Sequence, residues 1–251
     1  MNPARTVKHM QQSISDEETR IHDAYARRAA AGKESSWFDA GHLFIIQQLE
    51  RRVLAALTRC GMVPLRSKHI LEVGCGNGYW LREFIKWGAN PENLAGVDLL
   101  PERIDEACRL SPRAIAFTQG NAAELDFPEE TFNIVLQATM FTSILDYEVK
   151  RKVAAEMLRV LSGDGVLLWY DFRVNNPWNP DVRGIEKAEI ENLFVNCRIN
   201  LERITLAPPL LRFLAPHTWL GSYVLSAIPW GCTHYLGTIR KPPKLTQKTA
   251  Y

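Results

Sequence analysis

LEVGCGNGYW, running from Leu71 to Trp80, sets glycines at alternate positions (Gly74, Gly76 and Gly78) directly behind a short apolar run. A strand ending at Val73 and a helix starting near Tyr79 would leave the intervening residues as the first strand-to-helix turn. In an open α/β sheet that turn sits by the switch point where ligands bind. Glycine there permits left-handed backbone angles and lets the main chain approach a ligand. From the three glycines alone, a tight turn with no ligand is the alternative.

The surrounding sequence supports the α/β reading. From Ile70 onward, short apolar runs (HILEV, NLAGVDLL, AIAFTQG, FNIVLQA, GVLLWYDF) alternate with helical stretches such as YWLREFIKW, PERIDEACRL and YEVKRKVAAEMLRVL. Strands buried on both faces read as continuous apolar runs, which is what a parallel sheet covered by helices requires. Beyond Asp171 come a polar loop, a helix over GIEKAEIENLF, a strand RINLERITL and a final strand THYLGTIR, giving seven strands. Upstream, Ser15 and Glu18 fit a capping box that starts a helix after a loose leader, and Ile46, Leu49, Val53 and Leu57 form one stripe of a second helix.

The whole chain narrows the function. Its 251 residues are 46% hydrophobic and 23% charged, with 30 basic against 28 acidic side chains and a formal charge of +2. No basic field of the kind that neutralises many phosphates is present, so nucleic acid is not an expected partner. Five cysteines stand far apart with no C-x-x-C pair, which suggests neither a disulfide framework nor a metal site. The polar start MNPARTVKHMQQ lacks the apolar core of a secretory signal, and a cytoplasmic location is the expectation.

A nicotinamide dinucleotide site needs a third small residue for close helix packing and a helix N-terminus free for pyrophosphate. Counting from Gly74 or Gly76, that place falls on Tyr79 or Leu81, both too bulky. Glu72, two residues before the first glycine, would repel a diphosphate and attract a cation. The loop reads as built for a ligand that is not a phosphate.

Glu72-x-Gly74-x-Gly76-x-Gly78 behind an apolar strand resembles the first motif of class I S-adenosylmethionine-dependent methyltransferases, and the similarity extends over residues 69 to 172. The resemblance implies a Rossmann-like seven-stranded, mostly parallel sheet with helices on both faces. It implies S-adenosyl-L-methionine as cofactor, with Cys75 and Asn77 in the loop, Asp98 on the ribose hydroxyls and Leu99 on adenine. QGNAAELDFP resembles the family's stretch at the adenine edge, with Asn121 where an aspartate is usual; the Asn121 carbonyl and the Ala122 amide would serve instead. Gln137, ending the fourth strand, would face the methionine part or the acceptor. The chain is read as a helical extension or lid at residues 1–64, a domain of the resembled methyltransferase class at 65–241 and a loose tail at 242–251.

Methyl transfer needs mainly alignment and exclusion of water, and a hydroxyl acceptor adds the need for a base. Asp171, at the end of the fifth strand, is the expected base; a structural or capping aspartate is the alternative reading. Tyr25 on a lid helix would close over the cofactor, or simply pack. His42 has the same two readings, with packing the commoner for a histidine on an apolar helix. The acidic run DEETR reads as a solvated helix face.

The tail beyond the fifth strand resembles type-11-like methyltransferases found beside glycosyltransferases of surface-polysaccharide assembly. That implies methyl transfer to a small-molecule or saccharide hydroxyl, a lipid-linked sugar among them. A non-catalytic S-adenosylmethionine-binding regulator or scaffold is the alternative. LAPPLLRFLAPHTWLGSYVLSAIPWG, residues 206–231, is interrupted by Arg212 and four prolines and does not read as a membrane span. Two short helices would cap the acceptor side there, with His217 as a second catalytic candidate beside Tyr223, or meet a membrane surface as a peripheral element.

Overall fold

In the computed structural model, which describes residues 3–30, 32 and 37–242 with side chains from residue 10 onward, seven strands form one sheet in the order β3-β2-β1-β4-β5-β7-β6. The strands are β1 (Ile70–Val73), β2 (Leu94–Asp98), β3 (Ala116–Gln119), β4 (Phe132–Ala138), β5 (Leu161–Phe172), β6 (Arg198–Leu206) and β7 (Cys232–Arg240). The pairs among β1 to β5 are parallel, and β7 runs antiparallel between β5 and β6. Successive strands run outward from β1 through β2 to β3 and then restart at β4 on the other side, so the switch point lies between β1 and β4.

Alternation along each strand sends neighbouring side chains to opposite layers. Ile70, Ile134, Leu168 and Tyr170 pack under α2 (Ala40–Arg59) and α3 (Tyr79–Lys86). Leu71, Val135, Leu167 and Trp169 pack against α5 (Tyr147–Val160) and α6 (Lys187–Leu193). The fourth helix, α4 (Pro101–Leu110), begins with proline at its first position, where the missing N–H costs nothing.

Helix α1 (Pro3–Ala30) runs through the stretch read as a loose leader, and Ser15 lies inside it, its carbonyl accepting from the Thr19 hydroxyl. The capping box therefore does not start this helix. Its anchors are tertiary: Glu17 accepts from Arg20 and from the Leu145 amide, Arg20 reaches the Ser143 carbonyl, and Ser13 donates to Asp146. Burial alone would raise the Glu17 carboxyl, but Arg20 and the backbone donors outweigh it and hold it below the ordinary value. The start of α2 is capped by Asp39, which accepts from the His42 amide at 2.8 Å.

Two further helices, α7 (Pro208–Leu214) and α8 (Trp219–Ser226), occupy the insertion between β6 and β7. α7 lies against the start of α2 so closely that a Cβ on Gly41 would sit 2.7 Å from the Arg212 Cα. The tail expected at 242–251 lies outside the described residues except for Pro242.

Candidate active site

A cavity of about 570 Å³ opens over the switch point. At its base the Gly74 and Cys75 amides donate to the Val97 carbonyl at 2.8 and 3.0 Å, pinning the glycine loop to the end of β2. Gly74, Gly76 and Gly78 all hold positive φ, at 71°, 52° and 74°. Asp98 bridges the two turns, accepting from the Gly76 amide at 2.8 Å and from the Leu100 amide at 3.0 Å. Burial raises its carboxyl above its ordinary value, against the pull of those two amides.

Glu72 is buried at the same wall, and its Oε2 has no hydrogen-bond partner among the described residues. Desolvation, reinforced by the nearby Asp98 charge, raises its carboxyl far above the ordinary value. An orphaned buried carboxylate oxygen marks a place for a donor or a cation. In the same cavity a Cβ on Gly76 would meet nothing within 4 Å. Open space over a bare loop, beside a carboxylate awaiting a positive group, fits the amino-acid and nucleoside parts of S-adenosylmethionine.

The cavity gathers most of the residues named from sequence. Glu72, Gly74, Cys75, Gly76 and Asn77 come from β1 and its turn, and Asp98 and Leu99 from the end of β2. Asn121, Ala122, Tyr25 and His42 complete that set. Burial lowers the His42 imidazole below its ordinary value.

Five residues expected at the site stand outside the cavity lining. Gly78 does not line the cavity; a Cβ there would strike the Phe117 ring at 2.8 Å, so this glycine lets the start of α3 pack on β3. Gln137 and Asp171 are fully buried on the opposite face of the sheet, in line with Trp169. Gln137 accepts from the Met140 amide, and Asp171 accepts from the Thr142 hydroxyl at 2.7 Å and from the Thr142 and Phe172 amides. Burial raises Asp171 to about 6, and its hydrogen bonds clamp the turn after β4 outside the cavity lining. His217 is exposed against Phe213, outside the lining, and Tyr223 is likewise exposed with Arg51 over its ring.

The end of the cavity away from β1 holds residues that the sequence reading passed over: Tyr170, Phe172, Thr205, Arg212 and His234. Because β7 is antiparallel, its first residues lie at the same rim as the carboxyl ends of β5 and β6, and His234 pairs with Phe172. Its ring stacks on Tyr170 at 4.8 Å, and Nδ1 lies 3.0 Å from the Thr233 hydroxyl. Burial pushes the imidazole down to about 3, so His234 stands neutral at physiological pH. Thr205, whose hydroxyl meets the Tyr170 hydroxyl at 3.1 Å, and Thr139 are both cavity residues with positive φ, at 62° and 57°. Left-handed backbone at β-branched residues is costly and gathers at functional sites.

Comparison with known proteins agrees with this geometry. Residues 70–165 match the model of a family described as a methyltransferase domain. A phthiotriol/phenolphthiotriol dimycocerosates methyltransferase of Mycobacterium ulcerans is 29% identical over 142 residues, covering 55% of this chain and 51% of that protein. The chain thus spans about half the length of the curated relatives it matches. Among solved structures, a TehB-like S-adenosylmethionine-dependent methyltransferase from Corynebacterium glutamicum aligns over 96% of this chain and all of its own at TM-score 0.52 and 19% identity. The [4+2]-cyclase SpnF aligns over 78% of this chain and 83% of its own at TM-score 0.58 and 15% identity. At these identities the likeness is one of fold.

Proposed function

We propose that this chain, which carries a class I S-adenosylmethionine-dependent methyltransferase domain, transfers a methyl group to a hydroxyl of a small-molecule or saccharide acceptor, a lipid-linked sugar among them. The observation that carries the reading is one cavity with two chemically different ends on the carboxyl edge of a single sheet. At one end Glu72 would hold the cofactor's ammonium group and Asp98 its ribose hydroxyls, beside the open glycine loop. At the other, the Tyr170 and Phe172 rings flank the neutral His234 imidazole, with Thr205 and Arg212 nearby. Aromatic faces among hydrogen-bonding groups suit a polyol or sugar.

S-adenosylmethionine supplies a methyl group already activated by its sulfonium. Within that setting, the neutral His234 imidazole is the group suited to accept a hydrogen bond from the acceptor hydroxyl on Nε2 and so orient it, while Nδ1 is held by Thr233.

The test is equilibrium binding of S-adenosylmethionine and S-adenosylhomocysteine, followed by transfer of labelled methyl into pooled nucleotide sugars and polyprenyl-linked saccharides. Both cofactors should bind, one acceptor class should be labelled, and His234→Ala should lower turnover by about tenfold at unchanged cofactor affinity. Binding without turnover on any acceptor would favour the regulatory alternative.

The insertion supports a peripheral contact with lipid. In α8 the small polar residues face inward, Ser222 being fully buried, whereas Leu220 is 74% exposed; Phe213 in α7 is 68% exposed and Trp230 88%. A helix whose apolar side faces out is inverted relative to a packed cap, and residues 206–231 contain no acidic side chain. Trp219, Tyr223 and Trp230 have the amphipathic rings favoured at a bilayer interface. Pro208 and Arg212 of α7 also line the cavity, so this face adjoins the acceptor end. No helix among the described residues is long and apolar enough to cross a membrane. The protein should therefore sediment with anionic phospholipid vesicles, and Trp219→Ser with Leu220→Ser should abolish sedimentation at unchanged cofactor affinity. Sedimentation that persists in that double variant would remove the insertion as the contact.

A further inference from the structure

Asn121, the position where this sequence departs from the usual aspartate, is engaged on both sides. Its Oδ1 accepts from the Ala123 amide at 2.7 Å and its Nδ2 donates to Glu18 Oε1 of α1. The Asn121 side-chain oxygen expected to meet the cofactor thus has one of its two lone pairs engaged within its own turn. Glu18 lines the cavity together with Gly120, Asn121 and Ala122, and its other oxygen has no side-chain or backbone partner among the described residues.

We infer that Glu18 is the carboxylate of the nucleoside pocket, delivered by the lid helix and oriented by Asn121 to accept a hydrogen bond from the adenine amino group. The inference rests on the cofactor reading above. Its physical content is a division of labour between two elements. A carboxylate needs a donor to fix it and must keep one oxygen free; the Asn121 amide does the first and the free Oε2 the second.

An aspartate at 121 would set two carboxylates against each other, so an amide at 121 and an acid at 18 are matched choices. Helix α1 is positioned for this independently of any ligand. Glu17, Arg20 and Ser13 tie it to the turn after β4 and to the start of α5, and Ile14, Ile21 and Tyr25 line the cavity along the same side of the helix as Glu18. Binding of the nucleoside then closes a site half made by the sheet and half by the lid.

A charge exchange tests the pairing with S-adenosylhomocysteine as probe, read by calorimetry on the full chain. Glu18→Gln should weaken binding by about tenfold. Asn121→Asp should weaken it by a similar or larger factor, because Glu18 is repelled. The double variant Glu18→Gln with Asn121→Asp restores one acid and one amide and should return affinity to within about threefold of the parent, where independent effects would multiply.

S-inosylhomocysteine, in which a carbonyl replaces the adenine amino group, supplies the second readout. The parent should discriminate against it by about tenfold or more, and Glu18→Gln, which adds a donor, should narrow that ratio. Losses that simply multiply in the double variant, or a Glu18→Gln protein with parental affinity and parental discrimination, would overturn the inference. Failure of the parent to bind S-adenosylhomocysteine at all would instead overturn the cofactor reading, so the two failures are distinguishable.

Discussion

Gly76→Val should lower affinity for S-adenosylhomocysteine by at least about a hundredfold while leaving the protein folded. Three effects act in the same direction. Gly76 sits at φ 52°, a conformation that costs a residue with a Cβ about 1–2 kcal/mol and a β-branched one more. Its amide orients the Asp98 carboxylate at 2.8 Å, so a shifted loop loses the acceptor proposed for the ribose. The new side chain would project into open space within the cavity, where no described residue other than its two chain neighbours comes within 4 Å of the added Cβ. That emptiness keeps the fold intact and places the damage on the ligand.

Gly88 provides the control, since it has φ 97°, equally open surroundings and no place in the cavity lining. Gly88→Val should lower the melting temperature to a comparable extent and leave affinity unchanged. Parental affinity in a folded Gly76→Val protein would remove this loop from the cofactor site.

How much of this site could be read in advance follows from strand parity. The sheet itself was legible because each buried strand is a continuous apolar run, and the run boundaries at Ile70, Leu94 and Phe132 coincide with the observed strand starts. The rim was harder. Asp171 and Gln137 stand at strand ends, the right height for a site, but each is one residue out of phase with Tyr170 and Ala138, which face the cavity. A displacement of one residue reverses the face of the sheet. The alternation along GVLLWYDF, carried back from Glu72 through the paired registers, held that information.

The end of the cavity beside His234 was illegible for a topological reason. THYLGTIR reads as a strand in any direction, and only its antiparallel insertion between β5 and β6 brings His234 to the same rim as Phe172. DEETR was misread differently. A charge run on a helix is ordinarily a solvated face, yet here Glu17 is buried as an anchor and Glu18 meets Asn121 across 103 residues of chain. Local pattern carries no trace of such a partner. The inverted α8 shows the same restriction, since helical periodicity locates an apolar stripe without saying whether protein or lipid covers it.

Glu72→Gln should act in opposite directions on stability and on binding. In the unliganded protein the Glu72 carboxyl is raised far above its ordinary value by burial and by Asp98, while the Leu81 amide and Arg82 pull the other way more weakly. A carboxyl raised in the folded state holds a proton that the unfolded chain releases. Its contribution to stability is full below the unfolded value and is lost progressively as pH rises toward the folded one. Glutamine never ionises, so the substitution removes that loss. Melting temperature at neutral and alkaline pH should rise, by about 2–4 °C for each kcal/mol recovered, and the gain should vanish in acid.

Cofactor binding responds with the reverse sign. A cationic ligand favours the ionised carboxylate, so binding expels a proton and affinity should rise with pH until Glu72 is ionised without help. Asp98 is raised as well and adds to the same slope. Replacing Glu72 by glutamine should cost about 2–5 kcal/mol of binding, the scale for removing one partner of a buried charge pair, and should flatten the pH dependence to what Asp98 contributes. A buried acid whose removal stabilises the protein and disables its ligand is retained for the ligand. If Glu72→Gln instead lowers the melting temperature at every pH and leaves affinity unchanged, Glu72 belongs to the core and the cation is held elsewhere.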